Sequence, residues 1–376
     1  MRGEHYDLIV LGAGCAGLSL AHQLSRYPKP KAKVLFLEAR HRYVHDRVWC
    51  HWKNPSVNLD ERWIQRRWHR MTVGDARRTV TLTTDLMPYM LIESGTFYQC
   101  VQEDIRSSSL LDLRMGVNVS SPILSHQNAH RVAFGGESAQ SHHVLDTRPR
   151  LGALRSPGMW QSFIGWEIEC MDEVFDLETV TLMEFVRPSR YVLEFVYILP
   201  MTAKRALVEW TVFDPRPIAP ETLLDALSGK VKALAGGSSY RRIRSEKGIL
   251  PMGELRVASP GTGVTDISLG SGMARMATGY AFSNIQRWAV QCAEEVESGG
   301  VPRGPLPRPR PIQWMDQLFM NRLQANPDKA PDFLMDLFEK TDPECLLGFL
   351  EGSSSPRHLV AVMLSQIAGF MGGKAI

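Results

Sequence analysis

Three glycines near the start of the chain have the spacing of a turn that binds a dinucleotide. Gly12, Gly14 and Gly17 form G-x-G-x-x-G directly after an apolar run at residues 8–11. In such a turn the first glycine permits a tight bend, the second lets backbone N–H groups approach a pyrophosphate, and the third lets the next helix pack on the strand. Glu38 ends the following apolar run, about 20 positions further on, where a carboxylate suits ribose hydroxyls. Together these features predict a dinucleotide site.

Other residues are predicted to contact the same ligand. The N-terminus of a helix favours an anion, so Cys15 and Ala16 are candidates for the pyrophosphate. Far along the chain, Gly272 and Gly279 lead into a second helix that starts near Gly279, and this glycine-rich approach could close over the same ligand. Arg47 follows Glu38 in a basic, aromatic segment and is a further candidate, with a surface loop as the alternative.

One glutamate lies in a strand that is otherwise apolar. Glu209 stands in RALVEWTVFD, and alternation places it on the same face as Leu207, Thr211 and Phe213. Removal from water raises the pKa of a carboxyl and keeps it protonated near neutral pH. Glu209 is therefore a candidate general acid, and a solvent-facing strand glutamate is the alternative.

The chain is long enough for two domains in an α/β fold. It has 376 residues, past the size at which one hydrophobic core divides. We expect a discontinuous Rossmann-like nucleotide domain at 1–150 and 245–300, and an antiparallel-sheet substrate domain at 151–244. Residues 301–376 are predicted to be a Pro/Arg linker followed by C-terminal helices.

Individual elements follow from apolar periodicity and from capping residues. The runs at 191–199 and 205–213 are predicted to form a hairpin. Residues 117–119, 131–134 and 143–146 are predicted as short strands. The predicted helices are 97–111, 221–235, 314–324, 332–340, 344–350 and 356–371, the last capped by Ser355 with Pro356 at its first position.

Composition argues against several classes of function. The net charge is only +3, too small to indicate a nucleic-acid partner. Six scattered cysteines without a C-x-x-C pair predict a reduced cytosolic protein with neither a disulfide framework nor a zinc site. His45, His51, His142 and His143 lack the spacing of a metal site. We expect no signal peptide and no membrane-spanning segment, because every apolar stretch is shorter than about 18 residues.

Several motifs, ordered along nearly the whole chain, resemble the flavin-dependent lycopene cyclases of carotenoid biosynthesis. They are YDLIVLGAGCAGLSLA, DRVWCHW, VLDTRP, FIGWEIE, FVYILP with LVEWT, GILPMG, GSGMARMATGYAFSNIQ and FLEGSSS. The first is shared with many flavoproteins, whereas FIGWEIE, FVYILP with LVEWT and TGYAF are more specific. The chain departs from the family pattern at Trp210, where many members carry a second acid, and at Ser271, where many have a glycine pair.

This resemblance implies a two-domain fold of the hydroxylase-type flavoproteins, FAD as cofactor and an acyclic carotenoid as substrate. The implied reaction is a non-redox cyclisation of one or both ψ end groups of lycopene to β-rings. It needs reduced FAD, for which NAD(P)H is the expected reductant. Glu209 would supply the proton, and the cation could be stabilised by aromatic faces, for which Trp166, Tyr197 and Trp210 are candidates. Alternation puts Trp210 on the face opposite Glu209, which favours packing.

A water-insoluble substrate implies peripheral attachment to the inner face of the cytoplasmic membrane. The candidate contacts are the basic linker with Arg303, Arg308 and Arg310, and the terminal apolar helix, which could equally pack on the core. Two other functions stay open. One is an FAD monooxygenase or prenyl-chain reductase of the same fold. The other is a carotenoid-binding or FAD-storing protein, which would tolerate loss of Glu209. If Glu209 is not the acid, Glu167, Glu169 and Glu194 come next.

Overall fold

The computed structural model describes residues 4–119, 124–126, 129–149, 154–155, 158–253, 256–257, 263–352 and 358–363. Its strands are β1 (Glu4–Leu11), β2 (Val34–Glu38), β3 (Val48–Trp52), β4 (Ile64–Trp68), β5 (Arg70–Gly74), β6 (Thr79–Thr83), β7 (Tyr89–Glu93), β8 (Leu111–Met115), β9 (Leu124–His126), β10 (Ala129–Phe134), β11 (Glu137–Asp146), β12 (Leu154–Arg155), β13 (Met159–Cys170), β14 (Thr179–Phe185), β15 (Leu193–Pro200), β16 (Arg205–Asp214), β17 (Tyr240–Met252), β18 (Arg256–Val257) and β19 (Val264–Asp266). Its helices are α1 (Cys15–Ser25), α2 (Ser94–Arg106), α3 (Leu224–Ala235), α4 (Phe282–Glu297), α5 (Arg310–Ala325), α6 (Ala330–Lys340) and α7 (Pro343–Glu351).

The predicted nucleotide domain is built on a mostly parallel sheet. Its order is β8-β2-β1-β11-β10-β9, with β19 paired to β11, and β8, β2, β1, β11 and β19 run parallel. The central strands are buried on both faces, which explains why β1 and β2 are apolar runs without alternation. Helices α1, α2 and α4 pack together on one face. The glycine turn after β1 therefore lies where the predicted strand–turn–helix unit requires it.

A second large sheet is almost wholly antiparallel. Its order is β17-β13-β16-β15-β14-β5-β6, and only β14 and β5 run parallel among the described strands. The predicted hairpin is confirmed as β15 and β16. Alternation divides the side chains of β16 between two cores. Val208 and Val212 pack toward α3, whereas Leu207 and Phe213 face the C-terminal helices.

A separate three-stranded antiparallel sheet has the order β3-β7-β4. The domain boundaries remain a prediction, but strand pairing adds two details to them. Strands β5 and β6 pair with the antiparallel sheet although they precede residue 150, and β17 continues past residue 244 to Met252. The chain thus crosses between the two sheets more often than the predicted boundaries suggest.

Two expected elements near residue 110 are wrong in detail. The helix expected at 97–111 is α2, Ser94–Arg106, and it ends where the polar run of serines after Arg106 begins. The next strand is β8, which pairs with β2, whereas residues 117–119 form no strand. Pairing with the edge of the parallel sheet buries Leu111, and a helix extended to that residue could not provide this contact.

The C-terminal helices are confirmed as α5, α6 and α7, and they cover one face of the antiparallel sheet. A buried ion pair links α5 to the segment before α4, since the Nη2 atom of Arg275 lies 2.7 Å from the Oδ1 atom of Asp316 in α5. Arg275 also donates to the carbonyl oxygen of Phe349 in α7. Ser355 and Pro356 lie outside the described residues, and 358–363 are helical. In the described ranges, every helix is too short or too polar to cross a bilayer.

Candidate functional site

A cavity of about 850 Å³ extends from the glycine turn after β1 to the antiparallel sheet. One part is lined by the turn, by the end of β2 and by residues 277–285 at the start of α4. The other part is lined by β13, β15, β16 and β17 and by apolar side chains of the C-terminal helices. The predicted dinucleotide residues and the predicted acid therefore share one cavity, although they are far apart in sequence.

The glycine turn has two roles: some of its residues line the cavity, and Gly17 allows close packing of α1. Gly12, Gly14, Cys15 and Ala16 line the cavity. A Cβ atom on Gly14 would have Arg40 Nη2 as its nearest neighbour, at 3.9 Å, so the space in front of it is open. Gly17 packs the helix instead, because a Cβ atom there would lie 2.3 Å from the carbonyl oxygen of Gly12. This arrangement fits a dinucleotide whose phosphates approach the N-terminus of α1.

Glu38 lines the cavity as an ionised carboxylate. Its Oε2 atom accepts from the backbone N–H of Ala13 at 2.9 Å, and its Oε1 atom accepts from the Arg40 side chain at 3.0 Å. Burial alone would raise the pKa of Glu38, but the hydrogen bonds from Arg40 lower it. The sequence analysis did not identify Arg40 as a site residue, because an arginine in the basic run ARHR is expected to be exposed to solvent. In the fold it donates to Glu38 and to the Tyr98 hydroxyl.

The remaining predicted cofactor residues lie in three different settings. Arg47 lines the cavity with a largely exposed side chain, 3.4 Å from the Oδ2 atom of Asp46. Gly279 also lines it, with a φ of +70° that disfavours a side chain. Gly272 follows the short turn Leu269–Ser271 and lies against Pro305, outside the described lining of the cavity. Its contact with a cofactor remains a prediction.

Glu209 is buried in the wall that the antiparallel sheet contributes. Its Oε1 atom accepts a hydrogen bond of 2.9 Å from the Thr211 hydroxyl, on the same face of β16. Burial raises the pKa of Glu209 well above its ordinary value, and the neighbouring charge of Glu246 raises it further. The solvent-facing alternative for Glu209 is therefore wrong. Helices α5–α7 and the glycine-turn end of the cavity cover the face of β16 that carries Glu209.

Glu246 is a second buried carboxyl beside Glu209, and the sequence analysis missed it. Gly165 in β13 pairs with Glu209 of β16 on one side and with Glu246 of β17 on the other. A Cβ atom on Gly165 would lie 3.3 Å from Glu209 Cβ and 3.4 Å from Glu246 Cγ. The motif EKGILPMG contains Glu246, but nothing in the sequence indicates that a third strand joins it to Glu209.

Aromatic side chains line the cavity around this carboxyl pair. Tyr197 pairs with Glu209 in register, and its hydroxyl lies 2.8 Å from that of Tyr89. Phe163, Phe195 and Phe213 are further lining residues. Of the three aromatic candidates named from sequence, Tyr197 alone lines the described cavity.

The two tryptophan candidates lie on the opposite face, toward α3. Trp210 packs against the core beside α3, as expected, and its Nε1 atom donates to Glu194 Oε1 at 2.9 Å. The guanidinium of Arg242 lies 5.0 Å from the ring centroid of Trp166. Successive residues of a strand point to opposite faces, and Gly165 is on the face toward the cavity. Trp166 therefore points away from the cavity, and the expected role of Trp166 beside a cation is wrong.

The alternative acids are each held by other groups. Glu167 is buried between Arg205 and Arg244, and although burial opposes ionisation, His45 and these arginines lower its pKa to about 2. Glu169 pairs with Arg241, and Glu194 accepts from Trp210. None of these three acids belongs to the described lining of the cavity, whereas Glu209 does.

One histidine from the sequence analysis also lines the cavity. Burial lowers the pKa of His51 to about 4, so its imidazole is neutral near pH 7. Within the described ranges, no group of three or more His, Cys, Asp or Glu side chains could hold a metal ion.

Several solved structures and one family model are similar to this chain. The chain is similar to the structure of a geranylgeranyl bacteriochlorophyll reductase-like protein from Thermoplasma acidophilum, with a TM-score of 0.64, 12% identity and 98% of each chain covered. It is similar to a probable FAD-dependent monooxygenase from Pseudomonas aeruginosa, with a TM-score of 0.54, 13% identity and 96% of this chain and 100% of that chain covered. A halogenase solved in complex with FAD matches with a TM-score of 0.55, 12% identity and coverage of 91% and 78%.

These identities show the fold alone, and they confirm the predicted hydroxylase-type flavoprotein fold. No curated protein matches the chain. A family described as lycopene cyclase protein matches residues 7–371, nearly the whole length.

Proposed function

Because this chain belongs to the lycopene cyclase family, we propose that it converts the ψ end groups of an acyclic carotenoid such as lycopene to β-rings. One observation carries the proposal: a carboxyl whose burial raises its pKa lies in the wall of a cavity that also reaches a dinucleotide turn. A protonated acid in an apolar cavity is what protonation of a carbon–carbon double bond requires.

Glu209 would donate its proton to the terminal double bond of the substrate. The new C–H bond leaves a carbocation, the ring closes by attack of the next double bond, and loss of a ring proton restores neutrality. No electrons are gained or lost overall. Tyr197 and the phenylalanines of the lining can face the cation, and each aromatic face contributes roughly 0.5–2 kcal/mol.

The turn residues fit FAD as the dinucleotide. Backbone N–H groups at Gly12, Gly14, Cys15 and Ala16 would donate to the pyrophosphate, and Glu38 would accept from the ribose hydroxyls. Arg47 and Gly279 line the same part of the cavity. Reduced FAD, when bound, would supply negative charge beside the carbocation. This electrostatic role would explain why a non-redox enzyme retains a flavin.

The apolar part of the cavity suits a hydrocarbon. Phe319 of α5, Leu334, Leu337 and Phe338 of α6 and Leu350 of α7 line it opposite the antiparallel sheet. Apolar walls with a few convergent polar groups are typical of small-molecule sites. A polyene end group would lie between these helices and the sheet that carries Glu209.

We expect cyclisation without net consumption of reductant. The protein, reduced once under anaerobic conditions and given lycopene, should form cyclic product over many turnovers per flavin. Product and NAD(P)H would be counted in the same samples by chromatography and absorbance. One NAD(P)H oxidised per product would instead indicate a reductase or monooxygenase. Absence of product from a lycopene-accumulating host would favour a carotenoid-binding or FAD-storing protein.

We also propose peripheral contact with the inner face of the cytoplasmic membrane, centred on the linker and α5. Leu306 and Trp314 are exposed apolar side chains near the exposed Arg303 and Arg310. Arg308, expected at this surface, is half-buried and lines the cavity. Val362 of the terminal helix is buried in the core, which favours packing for the described part of that helix.

The double variant Leu306→Ser/Trp314→Ser should bind anionic vesicles at least about tenfold more weakly, since burial of one large apolar side chain contributes about 1.5–3 kcal/mol. Vesicle sedimentation measures this. Leu86→Ser is the matched control, because Leu86 is 65% exposed and Leu306 is 67% exposed. Equal sedimentation of wild type and double variant would exclude this surface as the membrane contact.

A further inference from the structure

Two carboxyl groups lie side by side in the cavity wall because a glycine separates them. The strand order β17-β13-β16 puts Glu246 and Glu209 on either side of Gly165, at the same level of the sheet. Any larger residue at Gly165 would place a side chain between the two acids, since its Cβ atom would already lie 3.3–3.4 Å from both. The absence of a side chain at this position therefore lets the two carboxyl groups interact directly across β13.

The two acids have different surroundings. Glu246 accepts a hydrogen bond from the Arg244 guanidinium, whose Nε atom also donates to Glu167 at 2.6 Å. Glu209 accepts a hydrogen bond from Thr211, a neutral hydroxyl. Burial raises the pKa of both carboxyls, but Arg244 opposes the rise at Glu246 most directly. This difference favours a proton on Glu209 and a carboxylate at Glu246.

We propose that Glu209 and Glu246 act as one carboxyl pair that holds a single proton, with Glu246 as the positioning residue that keeps that proton on Glu209. This inference rests on the proposed cyclisation and names the group that prepares its acid. Two neighbouring buried carboxyl groups cannot both ionise readily, so one proton stays on the pair at neutral pH.

The same pairing accounts for recovery of the proton. When the O–H bond of Glu209 breaks and the substrate C–H bond forms, two adjacent carboxylates remain. Their repulsion makes Glu209 a stronger base than an isolated glutamate. It can therefore take the proton that leaves the ring carbon next to the cation, and the original state returns without any external acid, base or oxidant.

Other titratable groups lie around the pair on the elements packed against it, and their charges also affect the pKa of the pair. They are Glu167, Arg205 and Arg244 of the sheet, Tyr197 of β15, Cys50 of β3, Tyr89 of β7, His45 and Arg47 before β3, and Tyr280 before α4. Burial raises the pKa of Cys50, Tyr89, Tyr197 and Tyr280, so these groups are neutral near pH 7. Glu246 is thus the negative charge next to Glu209.

The test is the pH dependence of Glu246→Gln. The active form has Glu209 protonated, so activity is lost as pH rises through the pKa of the pair. Without the charge of Glu246 that pKa falls, and the alkaline limb of the cyclisation rate should move down by at least about one pH unit. Activity at lower pH should be retained. Glu169→Gln, which removes a partly exposed acid paired with Arg241, should leave the limb in place.

An unchanged alkaline limb in Glu246→Gln would overturn the proposal. Loss of activity at every pH, in a variant that still binds FAD, would overturn it as well, because Glu246 would then be needed for more than its charge.

A second measurement needs neither substrate nor a folded Glu246 variant. Infrared difference spectra of wild type minus Glu209→Gln should contain a protonated carboxyl band at neutral pH that disappears on alkaline titration. The absence of this band would refute the shared proton. Because the spectra are recorded without substrate, they would test the pair even if the protein formed no cyclic carotenoid.

Discussion

Glu209→Gln is expected to bind FAD normally and to lose cyclisation by at least about 100-fold, the low end for general acid–base catalysis. Glutamine keeps the size of the side chain and can still accept from Thr211, but it has no proton to donate to a double bond. The position of this residue makes the substitution informative. Glu209 is buried beside Glu246 and lines the cavity, so the change removes one acidic proton with little change in packing.

The matched control is Glu194→Gln. Glu194 lies in β15, on the face that packs toward α3, and glutamine can still accept from Trp210 there. It should cyclise lycopene at close to the wild-type rate. Glu209→Asp should keep a fraction of the activity, because it stays acidic but is one methylene shorter. Product analysis with flavin-saturated protein separates these outcomes. A near-normal rate in Glu209→Gln would move the proton donor to another group.

Gly14→Val is expected to fold and yet to bind FAD at least about 100-fold more weakly, equivalent to about 2.7 kcal/mol. The backbone at Gly14 has a φ of −82°, which a valine can adopt, and its Cβ atom would have no neighbour closer than 3.9 Å. The space in front of Gly14 belongs to the cavity, so a side chain would occupy the approach of the pyrophosphate and little else. Fluorescence titration with FAD measures the loss.

Gly17→Ala provides the contrast. Its Cβ atom would meet the carbonyl oxygen of Gly12 at 2.3 Å, and this backbone atom cannot move without shifting the turn. The substitution should therefore lower the free energy of unfolding by about 1–3 kcal/mol, as overpacked cores do. Thermal unfolding of the FAD-free proteins distinguishes the two variants. A yellow, saturated Gly14→Val protein would refute the placement of the pyrophosphate.

The amino-acid sequence determined the local units of this protein. Strand β1, the glycine turn and α1 follow from an apolar run, three glycines and helical spacing, and the hairpin β15–β16 follows from alternation. The same alternation predicted that Glu209 and Trp210 lie on opposite faces of β16, as they do. Such predictions depend on periods of two or 3.6 residues, which neighbouring residues specify by themselves.

The tertiary structure determined which of these local units, and which of their side chains, lie next to one another. Glu246 and Glu209 become partners because β13 inserts between their strands, and no local pattern encodes which strand lies between two others. Arg40 turns inward because it pairs with the buried carboxylate of Glu38 at the end of β2. Arg308 of the linker lines the cavity and does not lie fully at the surface. Whether a charged side chain is solvated or buried depends on the elements that cover it. Glu209 was therefore identified from the sequence, whereas Glu246 and its pairing with Glu209 required the fold.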